Sequence, residues 1–352
     1  MRARQQRVPV GDRGPGRSYR PDLSPPTVFG AHQPGIATPK LAHVTLAALD
    51  VVECDLRGLL ARCSAVAEEA MADGAVTVTL GLGPGLFGER FGLAASRPLG
   101  LRELPAFPGD ALDPAWCGGD LCVQACGPTA GAARAALAGI AGAVGDSVVL
   151  RWEQAGELRR SPGDRPTGAS RGPLGFREGA NNLRRGIDLD RHVWVRARER
   201  SWMVGGSFLV VRRIRVDLEA WERLPVEEQE AVMGRHKGSG LPVGGGPPAR
   251  LPAGSHVQVA APRENGGVAI LRRGYDYDAG GSDSGLLFLA FMADPRRQYV
   301  PLQRRLAERD ALSTFTVHTG SAVFAVPPGA RPGGFLGEEL VDAARPAPSA
   351  SA

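Results

Sequence analysis

Between Leu41 and Trp152 the spacing of apolar residues changes from a period of two to a period near 3.6 and back, and then does so again. This switching limits the fold more than any other feature. A strand returns a side chain to the same face every second residue, and a helix every third or fourth. Leu41–Val52 is apolar and β-branched, as a strand requires. Cys54–Asp73 places Leu56, Leu59, Leu60, Cys63, Val66, Ala67 and Ala70 at helical spacing, with Gly74 as its stop. Ala75–Leu82 alternates again, with Val76, Val78 and Leu80 on one face. A Gly/Pro-interrupted excursion, Pro84–Pro114, follows. Next come a strand at Gly119–Cys126, a helix with Pro128 in its first turn and a Leu137, Ile140 and Val144 stripe, and a strand at Asp146–Trp152. The order β-α-β-β-α-β predicts an α+β, ferredoxin-like unit with an antiparallel sheet and flanking helices.

The second half repeats the plan loosely. Gly206–Leu218 reads as a long strand with Phe208, Val210, Ile214, Val216 and Leu218 on one face. Arg212 interrupts that face, so it either pairs with a buried group or marks a bulge. Pro225–Gly234 reads as a short helix, Ser255–Ala261 and Val268–Arg272 as short strands, and Gly285–Met292 as an apolar strand. Tyr299–Leu312 is amphipathic with Leu302, Leu306 and Ala307, and Phe315–Val326 closes with a strand. At 352 residues the chain is long enough for two domains. The expected division is a disordered arm over 1–27, ferredoxin-like domains over 28–165 and 166–342, and a loose tail over 343–352. The polar stretch Gln154–Leu174 links the two domains.

Composition narrows the function. Hydrophobic residues make up 43% and charged residues 22%, enough for packed cores. The net charge of +5 comes from scattered arginines, without a zinc-finger, aromatic RNA-binding or basic-helix pattern, so nucleic acid is not the expected partner. No run of 18 apolar residues exists to span a membrane. Met1–Pro26 lacks an apolar signal-peptide core. Of five cysteines, Cys117, Cys122 and Cys126 lie close together without a metal-binding spacing; buried free thiols are expected, with a disulfide open in an oxidising compartment.

Three short stretches carry chemistry. Gly175–Leu183 reads Gly-Phe-Arg-Glu-Gly-Ala-Asn-Asn-Leu, with glycines on both sides of one carboxylate, Glu178, that can therefore be aimed. His256 opens a short apolar run. Leu271–Tyr275, Leu-Arg-Arg-Gly-Tyr, presents two arginines. If the run is a strand they point to opposite faces, so only one enters a given pocket and the other is a surface charge.

Together these runs resemble the dye-decolourising peroxidases. Gly175–Asn182 is similar to that family's Gly-Phe-x-Asp-Gly-x-x-Asn signature. His256–Arg263 (His-x-x-x-Ala-x-Pro-Arg) and Leu271–Tyr275 match the same family in order. So do His32-Gln-Pro-Gly-Ile, Trp202-Met-Val-Gly-Gly, Arg212-Arg-Ile-Arg, Glu219-Ala-Trp-Glu and Gly234-Arg-His-Lys-Gly-Ser-Gly. The resemblance runs from Val28 to Gly329 and is nearest to a secreted bacterial branch that includes iron-uptake-associated haem enzymes (deferrochelatases). It implies a dimeric α+β barrel type of fold with haem b in the C-terminal domain. His256 is then the proximal iron ligand, Arg272 the distal arginine, and Glu178 stands where the family has aspartate. Gly179, Ala180, Asn181, Ala261 and Pro262 approach the haem edge, with Arg263 as a propionate partner. Hydrogen peroxide is the implied oxidant, and dyes, aromatic reductants or haem itself the substrates. Trp194, Trp202, Trp221 and Tyr275 are candidate electron relays. Export is implied by the branch, although no leader is legible; a homo-oligomer is left open.

In such a site a carboxylate takes and returns a proton and a guanidinium stabilises charge on the departing oxygen. Glutamate differs little from aspartate in acidity, about 4.3 against about 3.9. It differs in reach, by over ~1 Å, and a misplacement of that size can cost ~100-fold. Peroxidase is therefore the first expectation. Release of iron from haem, a haem-binding protein with catalysis impaired by Glu178, and a haem-free interaction module are the alternatives.

Overall fold

The computed structural model describes residues 25–52, 55–159, 170–179, 181–197, 199–245 and 251–343. Most of the expected arm, the expected tail beyond 343, Cys54, the middle of the link and Ala180 lie outside them.

Strand β1 (His43–Val51) leads to α1 (Leu56–Met71), whose N-cap Asp55 accepts from the Arg57 amide. β2 (Thr77–Leu82) and β3 (Leu121–Gly127) follow, separated by turns of 3-10 helix in the Gly/Pro-rich excursion. Helix α2 (Ala130–Val144) is capped by the Thr129 hydroxyl, which accepts from the Ala132 amide at 3.1 Å. Pro128 therefore precedes the cap and does not occupy the first turn. β4 (Val148–Glu157) continues through Gln154, which the sequence assigns to the link. The rest comprises α3 (Gly186–His192), β5 (Ser207–Val216), α4 (Leu218–Glu222), α5 (Val226–Met233), α6 (His256–Val259), β6 (Leu271–Arg272), β7 (Tyr275–Asp278), β8 (Ser284–Met292), α7 (Tyr299–Arg309), β9 (Thr316–Val326) and α8 (Glu338–Ala343).

Among the described residues nine strands join one antiparallel sheet in the order β5-β9-β2-β3-β1-β4-β7-β8-β6. β5 also pairs with β8, so the sheet closes on itself as a barrel. The ladders within β2-β3-β1-β4 and within β9-β5-β8 are long. The seams between those groups are single pairs, Leu82↔Ala325 and Glu157↔Asp276.

Alternation along the strands divides the core in two. Ala47, Leu49 and Val51 of β1 and Val78, Leu80 and Leu82 of β2 pack with Leu59, Leu60 and Cys63 of α1 and Leu137 and Ile140 of α2. The opposite faces meet one another through Val44, Leu46 and Ala48 of β1, Cys122 and Cys126 of β3, and Leu287, Leu289 and Phe291 of β8. Cys122 and Cys126 thus share a face, and with half-buried Cys117 they are free thiols; Cys63 is buried on α1.

Both expectations for Arg212 hold. Its guanidinium is fully buried and pairs with Asp110 in the excursion, and a register shift follows at Arg213/Ile214 against β9. Two expected strands are corrected. Ser255–Ala261 is not extended: Val259 donates to Ser255 O and Ala260 to His256 O, closing the single turn α6. Its Val257/Val259 alternation fits four extended residues as well as one helical turn, so periodicity alone does not separate them. Of Val268–Arg272 only Leu271–Arg272 pairs, with Phe291 and Ala290 of β8.

Candidate active site

The site is built from three chain segments: the 175–183 loop, the α6 turn, and β6 with its continuation to β7. Gly175 and Gly179 both have positive φ, +80° and +75°, so the two glycines that flank Glu178 do serve as turns. The loop is fastened to β6 by Asn182. Its Oδ1 accepts from the Arg272 amide at 2.9 Å, and its Nδ2 donates to the Arg272 carbonyl at 2.8 Å. Both backbone groups of Arg272 are thus held by one side chain, which fixes where its guanidinium starts.

That guanidinium has no hydrogen bond or ion pair to any of the described residues, although the side chain is half-buried. Burial draws its pKa below the ordinary arginine value; Glu178 counters this and Arg235 adds to it. Glu178 is half-buried. Its Oε2 accepts from Lys40 Nζ at 3.3 Å and from Ser170 Oγ at 3.0 Å, and its amide donates to Ser170 O at 2.8 Å. Lys40 comes from the segment before β1 and also donates to the Gly274 carbonyl at 2.6 Å. Neither Lys40 nor Ser170 shows any local sequence signal for this role.

On α6, His256 Nδ1 lies 2.6 Å from Asp310 Oδ2, and the Asp310 side chain is 5% exposed. Asp310 ends α7, and its other oxygen accepts from the Leu312 amide. With a carboxylate accepting at Nδ1, that nitrogen carries the proton and Nε2 keeps the lone pair a metal needs. Asp310 also lacks a legible signal beyond the N-cap pattern of Asp310-Ala-Leu.

Arg235 links this turn to β6. It follows Gly234, where an added Cβ would lie 2.8 Å from Ser255 Oγ and 3.5 Å from Val257 Cβ, and its charge acts on Arg272. The donor set suits an iron porphyrin: an oriented imidazole with one nitrogen committed and one available, and a desolvated cation without a side-chain partner among the described residues.

The remaining expected residues divide. Gly179 stands beside Glu178, and its carbonyl accepts from Arg184 Nη2 at 3.0 Å. Asn181 is exposed in the same loop. Ala261 and Pro262 follow α6 directly, with Asn265 Nδ2 donating to the Ala261 carbonyl at 2.8 Å. Arg263 is exposed and lies 3.5 Å from Glu264. Arg273 is not the surface charge that alternation suggests. It is 3% exposed and donates to the Ile36 and Thr38 carbonyls at 3.2 and 2.6 Å. Trp202, Trp221 and Tyr275 are core residues, and Trp194 stacks on His32 with ring centroids 3.6 Å apart.

Asp276 of β7 sits behind Glu178, 2% exposed, with its Oδ2 lacking a hydrogen-bond partner among the described residues and Arg159 Nε 3.6 Å away. Burial, then repulsion from Glu178, pushes its pKa up to about 7 against opposing pulls from Arg159 and Lys40. The folded protein therefore holds a proton here that the unfolded chain releases near pH ~3.9, so stability falls as pH rises from about 4 to about 7. The rise from about 3.9 to about 7 corresponds to roughly 4 kcal/mol at most, and solvent screening lowers it. Asp276→Asn is expected to flatten this slope and raise the melting temperature above pH 7; an unchanged pH profile of thermal unfolding would contradict it.

Two family models match the chain: Dyp-type peroxidase, N-terminal, over residues 33–157, and Dyp-type peroxidase, C-terminal, over residues 169–331. The chain belongs to the Dyp-type peroxidase family. It is 35% identical to a dye-decolorizing peroxidase of Thermobifida fusca, covering 89% of this chain and 84% of that protein. It is 32% identical to a deferrochelatase of Yersinia pestis, covering 90% and 84%. Among solved structures, ferric DtpA from Streptomyces lividans superposes with a TM-score of 0.83 at 36% identity, covering 93% of this chain and 98% of that one. Family membership bears out the expected peroxidase activity and haem cofactor. Among the described residues no helix is long and apolar enough to cross a membrane.

Proposed function

We propose that this Dyp-type peroxidase binds haem b through His256 Nε2 and uses Glu178 and Arg272 to reduce hydrogen peroxide at the expense of aromatic compounds and dyes. The observations that carry the residue assignment are an imidazole oriented by Asp310 and a desolvated Arg272 that has no side-chain partner among the described residues and is clamped through its backbone to the loop that bears Glu178. Haem, when bound, supplies the redox-active iron at which peroxide is reduced. Asp310 keeps the proton on His256 Nδ1 and raises the basicity of Nε2. Glu178 takes a proton from peroxide and returns it to the departing oxygen. Arg272, fixed by Asn182, stabilises negative charge on that oxygen without reorganising.

The element order of residues 43–157, β-α-β-β-α-β, supports a ferredoxin-like N-terminal domain over 28–165. On this reading 166–342 is the second such domain and holds the haem, with Gly179, Ala180, Asn181, Ala261, Pro262 and Arg263 along its rim.

Reconstitution with haem is expected to give a visible absorbance band that changes on adding peroxide, and dye oxidation well above that of free haem. A stable band with no oxidation above free haem would instead mark a haem-binding protein whose catalysis fails at Glu178. The deferrochelatase relatives favour a second reading, release of iron from haem. Metal-free porphyrin appearing during incubation with haem would establish it.

A further inference from the structure

We propose that Lys40 is a positioning residue that, with Ser170, holds one oxygen of the Glu178 carboxylate so that the other is the proton-accepting atom. The inference rests on reading Glu178 as the distal acid and adds what places it. Oε2 is doubly occupied, by Lys40 Nζ at 3.3 Å and Ser170 Oγ at 3.0 Å. Oε1 has no such partner among the described residues and lies near two glycines: added Cβ atoms would stand 3.2 Å from it at Gly172 and 3.6 Å at Gly274. A side chain at Gly172 would crowd that oxygen, whereas one at Gly274 would meet it at ordinary contact distance.

Lys40 is itself held. It donates to the Gly274 carbonyl at 2.6 Å and lies over the Tyr275 ring, 4.9 Å from its centroid. Two residues earlier, the Thr38 carbonyl accepts from Arg273 at 2.6 Å. The stretch Ile36–Lys40 is thus fastened across Arg273–Tyr275, and the ammonium cannot swing away without breaking these contacts. The longer arm of glutamate suits this arrangement. Aspartate on the same backbone would withdraw the carboxylate from Lys40 by over ~1 Å, beyond hydrogen-bond reach. The departure from the family's aspartate is then coupled to a cation supplied from the other half of the chain.

The charged groups around the carboxylate are Lys40, Arg272, Arg273 and Asp276, with Arg159 and Glu157 behind Asp276. Lys40 is the cation in contact with the Glu178 carboxylate, so its removal takes away both a hydrogen bond and the charge that holds Oε2.

The test uses the full-length holoprotein with Lys40→Met and Ser170→Ala. Infrared pH titration, with the Glu178 band assigned by subtraction of Glu178→Gln, reads the carboxyl directly. The acid limb of the peroxide reaction is measured in parallel. Both midpoints are expected to move to higher pH in Lys40→Met and in the same direction, by less, in Ser170→Ala, because each removes a donor to the ionised carboxylate. The turnover number should fall with the KM for the dye unchanged, and Lys40→Arg should restore part of the loss. If Lys40→Met does not fold, Ser170→Ala decides. Unmoved midpoints in the folded variants overturn the proposal while the wild type remains a peroxidase. Should the wild type show no peroxidase activity, the infrared titration still reads the Lys40–Glu178 coupling separately.

Discussion

His256→Ala is expected to lose nearly all bound haem after reconstitution and desalting, and with it all peroxide-dependent oxidation above free haem. Alanine offers no ligand atom, and none of the described residues forms another cluster of metal-ligating side chains. The fold should survive. α6 is one turn, held by backbone bonds from Val259 and Ala260, and Asp310 keeps its contact with the Leu312 amide. Asp310 does lose its partner while 5% exposed, a cost on the order of 1–3 kcal/mol. The expected result is therefore a colourless, folded, modestly less stable protein, read from the haem-to-protein absorbance ratio and from thermal unfolding. Full haem content in this variant would remove His256 from the iron.

Arg272→Leu should separate binding from chemistry. The guanidinium makes no hydrogen bond with the described residues, and the Asn182 clamp holds only the backbone of residue 272, so it persists in the variant. Haem content should stay near normal. The reaction with peroxide, followed by stopped-flow absorbance, should slow by about 100–1000-fold, the usual loss when one preorganised donor to a developing negative charge is removed. Glu178→Asp, which keeps a carboxylate, should slow it less. A wild-type rate in Arg272→Leu would leave its buried charge without a function.

Much of this was legible in the sequence where an element is long. β1, β8 and β9 form where apolar runs mark strands and α1 turns its assigned stripe inward, because ten or so residues of consistent pattern leave one solution. Four residues around His256 do not. The pair Arg272–Arg273 misled for a different reason. Alternation marks one arginine as outward, but carbonyls 235 and 237 residues away accept from Arg273 inside the protein. Long-range partners also hid the groups that hold the chemistry in place. Asp310 is 54 residues from His256, and Lys40 is 138 from Glu178. Neither spacing leaves a trace in a local pattern, and only the resemblance to a family pointed to Glu178, His256 and Arg272 as one set.

The closing seam between β2 and β9 bears on how the protein is made. Residues 43–157 can complete their own ladder soon after leaving the ribosome, whereas Leu82 waits for Ala325. The ring therefore cannot shut until β9 has been synthesised, and a distant contact of this kind is slow to form. His256, Arg272 and Lys40 come together on the same late schedule. A nascent chain released early would carry the first half of the barrel, Lys40 included, and nothing able to grip a porphyrin.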